Sequence, residues 1–207
     1  KIVIKYLGIN TIVISKKLKE IIINNFNIKK CFIHVLHDSA VANQKPLNKT
    51  QKIEHRSIIL KDYVKLKNDQ ILVGYFGHLY QGRGINIINK MAEHFYDVQL
   101  ILYGGNEEEL NDCEKTNELH NLHYLGHIKP KYVPVTMAMM DVLLMPYQNS
   151  VSINVKGIDT VEWMSPLKLF EYMSVAVPII SSDLPVLREI LEHNKNCLLV
   201  KPDDVNA

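Results

Sequence analysis

The stretch Ser165-Pro-Leu-Lys-Leu-Phe-Glu171 sets a hydroxyl, a proline, an amine and a carboxylate at the spacing of a helix start. Ser165 is suited to cap a helix and Pro166 to occupy its first position, which places Lys168 in the first turn beside amides that no intrahelical carbonyl claims. Such a helix start attracts phosphate. Glu171 falls about one turn further along, where a carboxylate can accept two hydrogen bonds from vicinal hydroxyls such as those of a ribose. Phosphate at the tip and sugar one turn down describe a nucleotide lying along a helix.

A second constellation, Gly74-Tyr-Phe-Gly-His-Leu-Tyr-Gln-Gly-Arg-Gly84, reads as a strand that breaks into a glycine-rich loop before a helix. Glycines there allow positive φ and close approach of backbone to a ligand. Arg83, just before the helix, can grip a phosphate with two parallel N–H bonds, and His78 adds a donor. Alone, such a loop also reads as a plain tight turn. Paired with the helix start at 165–168 it reads as the other side of a diphosphate, which needs positive groups on more than one side.

Around these motifs the chain alternates short β-branched runs with amphipathic stretches, the pattern of a parallel sheet with crossover helices. Strands are expected at Ile71–Phe76, Val98–Tyr103, Leu122–Leu125, Val142–Met145, Pro178–Ser181 and Leu198–Val200. Helices are expected at Ile85–His94, Glu107–Asn117, Lys131–Met140, from Pro166 onward, and at Val186–His193. Gly104-Gly105, Gly126 and Pro146 follow strands at the edge where sheets of this class bind ligands. The first fifty residues differ: strands at Thr11–Ile14 and Cys31–Leu36 flank a helix near Lys16–Asn25, too little to bury its own faces. They read as the tail of another domain, with residues 38–48 as a linker and a charged helix over Lys49–Lys67 leading into the second unit.

The 207 residues, 47% hydrophobic and 22% charged, suit a soluble globular protein. A net charge of +2 with dispersed basic residues gives no reason to expect a nucleic-acid partner. Cys31, Cys113 and Cys197 are odd in number and lack ligand spacing, which reads as reduced thiols in a cytoplasmic setting. No apolar run approaches the roughly 20 residues of a membrane span. The opening Lys-Ile-Val-Ile-Lys lacks an initiator Met and suggests a start inside a longer gene product, and the final Pro-Asp-Asp-Val-Asn-Ala stops where another helix is expected.

Together the motifs resemble the nucleotide-sugar-binding half of the retaining glycosyltransferases often called GT4, or glycosyl transferases group 1, which use the two-domain GT-B fold. The resemblance runs across nearly the whole chain. Gly77-His78-Leu79-Tyr80-Gln81-Gly82-Arg83-Gly84 occupies the positions of the family's Gly-Arg-Leu-x-x-x-Lys-Gly, so His78 stands for its arginine and Arg83 for its lysine, the pair that grips the donor diphosphate. Leu125-Gly-His-Ile128, whose counterpart lines the base pocket, Asp141-Val-Leu-Leu-Met-Pro-Tyr147 and Ser181-Ser-Asp-Leu-Pro-Val-Leu-Arg-Glu189 are further matches, and the block from Ser165 to Met173 is the most specific. The resemblance implies a Rossmann-like α/β domain, the C-terminal half of a GT-B fold, over 49–207, with 1–48 as the tail of the N-terminal acceptor domain. Donor nucleotide contacts then fall on Gly77, His78, Arg83, Gly84, Ile128, Ser165, Pro166, Leu167, Lys168 and Glu171, and the catalytic groups on Arg83, Lys168 and Glu162.

Glu162 enters that list through a departure. The family pairs two glutamates, the second of which matches Glu171 and binds ribose; the first position holds Trp163, with Glu162 one residue away. Either Glu162 substitutes through a shifted loop, or backbone groups from Trp163 to Pro166 contact the sugar. His78 in place of arginine removes a constitutive charge, because an unperturbed imidazole is mostly neutral at pH 7.

The mechanism implied is stabilisation of the leaving nucleoside diphosphate by Arg83, Lys168 and helix-start amides, without a metal or other cofactor. Family context implies a hexose or N-acetylhexosamine donor, UDP-linked first, and a lipid-linked saccharide acceptor in O-antigen or capsule assembly. The acceptor would be held by the missing N-terminal domain at the cytoplasmic face of the inner membrane. A nucleotide-sugar epimerase of the same architecture and a non-catalytic binding module are the alternatives. Asp203-Asp204 reads as a surface turn, His120, His123 and His127 as surface or cap residues, and Tyr103 and Tyr147 as packing groups or stacking platforms for a base.

Overall fold

The computed structural model describes residues 8–41, 44–61, 70–80, 82–115, 118–151 and 159–206. Among them, two short parallel strands, β1 (Thr11–Val13) and β2 (Ile33–Val35), are bridged by helix α1 (Lys16–Phe26) over a small core of Val13, Ile28 and Ile33. The Ser15 hydroxyl caps α1 by accepting the Leu18 amide, and Asn27 closes it with φ 49, a conformation that asparagine tolerates. Helix α2 (Lys49–Ile59) opens on a capping box in which Asn48 and Gln51 satisfy one another's amides. The rest of the expected Lys49–Lys67 helix lies outside the described residues beyond Lys61.

The larger unit holds β3 (Ile71–Phe76), β4 (Val98–Tyr103), β5 (Leu122–Tyr124), β6 (Val142–Met145), β7 (Ile179–Ser182) and β8 (Leu198–Val200), all parallel, in the order β5-β4-β3-β6-β7-β8. Helices α3 (Ile85–His94), α4 (Glu107–Lys115), α5 (Val133–Ala138) and α6 (Leu167–Ser174) connect them. Period-two alternation splits each central strand between two cores. Leu72, Phe76, Ile101 and Tyr103 face one layer of helices, and Val73, Tyr75, Leu100 and Leu102 the other. The chain starts in the middle of the sheet, builds outward through β4 and β5, then returns to β6 on the other side of β3. That reversal opens a crevice beyond the carboxyl ends of β3 and β6.

The six expected strands are all present, one ending a residue early at Tyr124 and one displaced by a residue at both ends, to Ile179–Ser182. The expected helix over Val186–His193 is instead a 3₁₀ turn at Leu187–Glu189. Asparagine chemistry defeats the helix: the Asn196 side chain accepts the Glu192 amide, and Asn194 turns left-handed with φ 60. Lys131–Met140 likewise divides into a 3₁₀ turn at Pro130–Tyr132 and the short α5.

The two units are joined by side chains as well as by the chain. Glu189 accepts the Lys16 amide at 2.8 Å and the Lys17 amide at 3.2 Å, filling the two orphan donors at the start of α1, while the Ser15 hydroxyl donates to the Trp163 carbonyl. On the other side, Arg56 of α2 pairs with Asp141 at 2.8 Å and donates to the Met139 carbonyl, and Lys52 donates to the Met140 carbonyl. Carboxylate at a helix N-terminus is favourable both as acceptor and against the dipole. Glu189→Ala is expected to lower stability by about 1–2 kcal/mol, the scale of a lost charged cap, in urea unfolding. A change indistinguishable from zero would show that water replaces the carboxylate at no cost.

Candidate functional site

Helix α6 starts at Leu167 with Pro166 in the capping position and no side-chain cap. Ser165 therefore does not cap it. Proline pushes its preceding residue out of helical conformation, and Pro166 itself is extended (φ −74, ψ 117), so the Ser165 hydroxyl stands one residue too far back. The helix is nonetheless aimed as expected, because the Phe76 amide at the end of β3 donates to the Tyr172 hydroxyl at 2.9 Å. That bond locks α6 over the mouth of the crevice.

Gly77, His78, Ile128, Leu167, Lys168 and Glu171 line one cavity of about 380 Å³ there, a size that suits a small ligand. Phe76 and Tyr103, stacked at 5.3 Å, form part of its wall, and Gly105 and His127 complete its rim. Gly77 is required by close approach: with φ 155, a Cβ on it would lie 2.5 Å from the Lys168 amine. Gly84, with φ 84, packs so tightly on the Pro146 carbonyl that any side chain would collide with it, and this seats the glycine-rich loop on the end of β6.

Lys168 leaves part of its stem exposed, yet its amine is buried and has no hydrogen-bond partner among the described residues. It lies 4.1 Å from the Tyr75 ring centroid and 5.2 Å from that of Tyr147. Arg83 lies on the other side of Tyr147, donating from Nη1 to its hydroxyl at 3.0 Å and from Nη2 to the Tyr80 hydroxyl at 2.9 Å, with Nε left unpartnered. Burial, then repulsion from Arg83, brings the Lys168 amine down to about 7, against the weaker pull of Glu171. Burial pushes the Tyr147 phenol up to about 12 and the Tyr75 phenol well above its ordinary range, so both stay neutral. Loss of hydration holds His78 below the usual imidazole value despite Glu109. His78 thus supplies hydrogen bonds at neutral pH rather than charge.

Glu162 is not brought to this cavity. Asp159 accepts the Val151 and Val161 amides and holds a turn that sends Glu162 into a separate cavity of about 390 Å³ beside Lys16, Lys17 and Glu189 of the α1 junction. The Trp163 carbonyl is already engaged by Ser15. Arg83, Gly84, Ser165 and Pro166 do not line the donor-side cavity either; Arg83 is linked to it only by way of Tyr147, whose ring faces the Lys168 amine. Sequence reasoning overlooked Tyr75 and Tyr80 beneath the cations, and the only available signal was their density, three tyrosines at 75, 80 and 147 flanking the glycine loop and β6. Tyr147 itself is buried under the cations rather than offered to a base. His123 bonds Gln99 at 2.8 Å, Asp203 accepts from Gln148 and Asn149 in a surface turn, and no metal-ligand cluster occurs among the described residues.

Residues 70–207 match the family model described as glycosyl transferases group 1. The chain belongs to that family. A chitobiosyldiphosphodolichol beta-mannosyltransferase of Debaryomyces hansenii is 23% identical over 209 residues, covering 93% of this chain and 42% of that protein. Among solved structures, Anabaena HepE in complex with UDP superposes with a TM-score of 0.70 at 17% identity, covering 95% of this chain and 50% of that one; HepE has also been solved with UDP-glucose. WaaG, a glycosyltransferase involved in lipopolysaccharide biosynthesis, superposes at 0.68 with 12% identity, covering 92% and 48%. The fold is that of a GT-B glycosyltransferase domain, and the chain spans about half the length of the relatives it matches. No helix among the described residues is long and apolar enough to cross a membrane.

The buried amine fixes a dependence on pH. Unfolded, Lys168 holds its proton up to about pH 10.5; folded, only to about 7, so the unfolded state binds more protons between those values and stability rises with pH across that window. Below about pH 7 the buried charge weighs fully on the fold. Lys168→Met should therefore raise Tm, and by more at about pH 6.5 than at about pH 9.5. Equal gains at both would mean that the ammonium is solvated.

Proposed function

We propose that this chain is the donor-binding part of a retaining GT4-type glycosyltransferase, with residues 1–48 the tail of an acceptor domain and 49–207 the nucleotide-sugar domain. One observation carries the reading: Lys168 lines the cavity and Arg83 stands behind it across Tyr147, with no carboxylate bonded to either among the described residues, and Glu171 waits one turn further along the same helix. A diphosphate fits the cations and a ribose fits the carboxylate. As the donor's glycosidic bond breaks, the leaving diphosphate gains negative charge, which Arg83, Lys168 and the first amides of α6 stabilise. His78 contributes a neutral donor, and no divalent ion takes part.

The sugar is a hexose or N-acetylhexosamine carried on UDP, a choice supported by the UDP and UDP-glucose complexes of HepE. A lipid-linked saccharide acceptor is supported by the name of the Debaryomyces relative, and surface-polysaccharide assembly, such as O-antigen or capsule in a bacterium, by the role of WaaG. Such an acceptor places the full-length enzyme at the cytoplasmic face of the inner membrane, held peripherally. A binding module without transfer is the second reading, favoured because Glu171 is the one carboxylate among the described residues lining the cavity. Donor turnover by the longer protein decides between them.

Calorimetric titration of the chain with UDP, GDP and ADP in chelator should show selective binding of UDP. Binding that needs a divalent ion, or none to any nucleotide, overturns the donor-site reading. Arg83→Ala and Lys168→Ala should each weaken UDP binding by about 1.5–3 kcal/mol, the scale of a hydrogen bond between charged groups. Unchanged affinity in both would remove those residues from the site.

A further inference from the structure

Three tyrosines link Arg83, Lys168 and His78 in a ring of contacts that closes through the main-chain carbonyl of His78. Tyr75 joins His78 to Lys168: its hydroxyl donates to the His78 carbonyl at 2.6 Å while its ring lies 4.1 Å beneath the Lys168 amine. Tyr80 joins His78 to Arg83, stacking on the imidazole at 5.0 Å and accepting from Nη2 at 2.9 Å. Tyr147 joins Arg83 to Lys168, accepting from Nη1 at 3.0 Å and turning its ring to the amine at 5.2 Å. Each tyrosine therefore bridges one of the three possible pairs.

We propose that Tyr147, with Tyr80, is a positioning residue that holds Arg83 and Lys168 poised for a diphosphate without neutralising them, a deepening that rests on the donor-site reading above. Two cations gathered on one buried side chain need an attractive partner, and the usual one is a carboxylate. A carboxylate here would compete with the ligand's own negative charge and cancel the field that recognises it. A phenol hydroxyl and an aromatic face instead offer lone pairs and a quadrupole, which orient a cation while leaving its charge intact. Tyr147 is fully buried, and so is fit to hold a fixed geometry. Its neighbour Pro146 is pinned against Gly84, and the Gln148 amide donates to the Gly82 carbonyl at 3.1 Å, so the strand end that carries Tyr147 is fastened to the loop that carries Arg83. The Tyr147 ring thus sits between β3's loop and α6, where moving it would displace both cations together.

Tyr147→Phe removes one oxygen and keeps the ring, so it tests the hydroxyl with little threat to the fold, and Tyr80→Phe does the same at a partly exposed position. Both variants should be titrated with UDP, uridine and inorganic pyrophosphate. Tyr147→Phe is expected to weaken UDP and pyrophosphate about tenfold and leave uridine unchanged, with a smaller loss of the same kind for Tyr80→Phe, as expected when one hydrogen bond to a charged group is lost. Wild-type affinity for UDP and pyrophosphate in both variants overturns the proposal. An equal loss for uridine overturns it as well, since that marks a general packing role. Wild-type protein that binds pyrophosphate as tightly as UDP, with pyrophosphate binding weakened by Tyr147→Phe, sinks the nucleotide reading while supporting the tyrosine cradle.

Discussion

The structure around the site depends on gathering two cations around one buried tyrosine with no carboxylate bonded to either among the described residues. Like charges that share one aromatic ring in a region of low dielectric repel each other, and each also loses hydration. The protein answers with phenols rather than carboxylates. Tyr75, Tyr80 and Tyr147 surround Arg83 and Lys168 with ring faces and hydroxyl oxygens, and burial keeps Tyr75 and Tyr147 protonated and neutral. The result is a pair of cations with no carboxylate bonded to either among the described residues, Glu171 exerting only a weaker pull on Lys168. Burial first, then the neighbouring Arg83, brings the Lys168 amine down to about 7, the direction expected of a cation without a bonded anion.

Everything larger in the fold supplies the coordinates for this contact. The switch of strand order between β3 and β6 opens the crevice, and each of its walls contributes one cation. Arg83 comes from the loop after β3, Lys168 from the helix after β6, and Tyr147 from the end of β6 lies between them. Two glycines make the approach possible, Gly84 against Pro146 and Gly77 against Lys168. The Tyr172 hydroxyl, accepting from the last amide of β3, sets how α6 lies across the sheet. A sheet of this kind is stiff because both of its faces are buried, so the strand ends that carry the Arg83 loop and the Lys168 helix hold a fixed spacing.

The junction with the first unit uses the same chemistry elsewhere. A carboxylate, Glu189, occupies the start of α1, just as a phosphate is expected to occupy the start of α6. The difference is instructive. Where the protein needs permanent attachment it supplies its own anion, and where it needs to receive one it leaves the cations bare.

Local sequence was enough to locate the six strands, four of the crossover helices and the blocks at 77–84 and 165–171, because alternation, proline and glycine act over a few residues. It also brought Gly77, His78, Ile128, Leu167, Lys168 and Glu171 to one list, and they do line one cavity. It failed where a local signal had a competitor: Asn194 and Asn196 replaced a helix at Val186–His193 with turns, and Pro166 displaced Ser165 from its cap. Glu162 shows the other limit. Its distance from Glu171 along the chain is right to within a residue, but the Asp159 turn decides its direction, and that turn sends it toward α1. The sequence by itself determined which elements form and which carry phosphate-friendly groups, since those are properties of neighbouring residues. Only the tertiary structure decided that Tyr75, Tyr80 and Tyr147 would meet beneath Arg83 and Lys168, because contacts such as Arg83 to Tyr147, 64 positions apart, depend on strand order and helix tilt that no local pattern encodes.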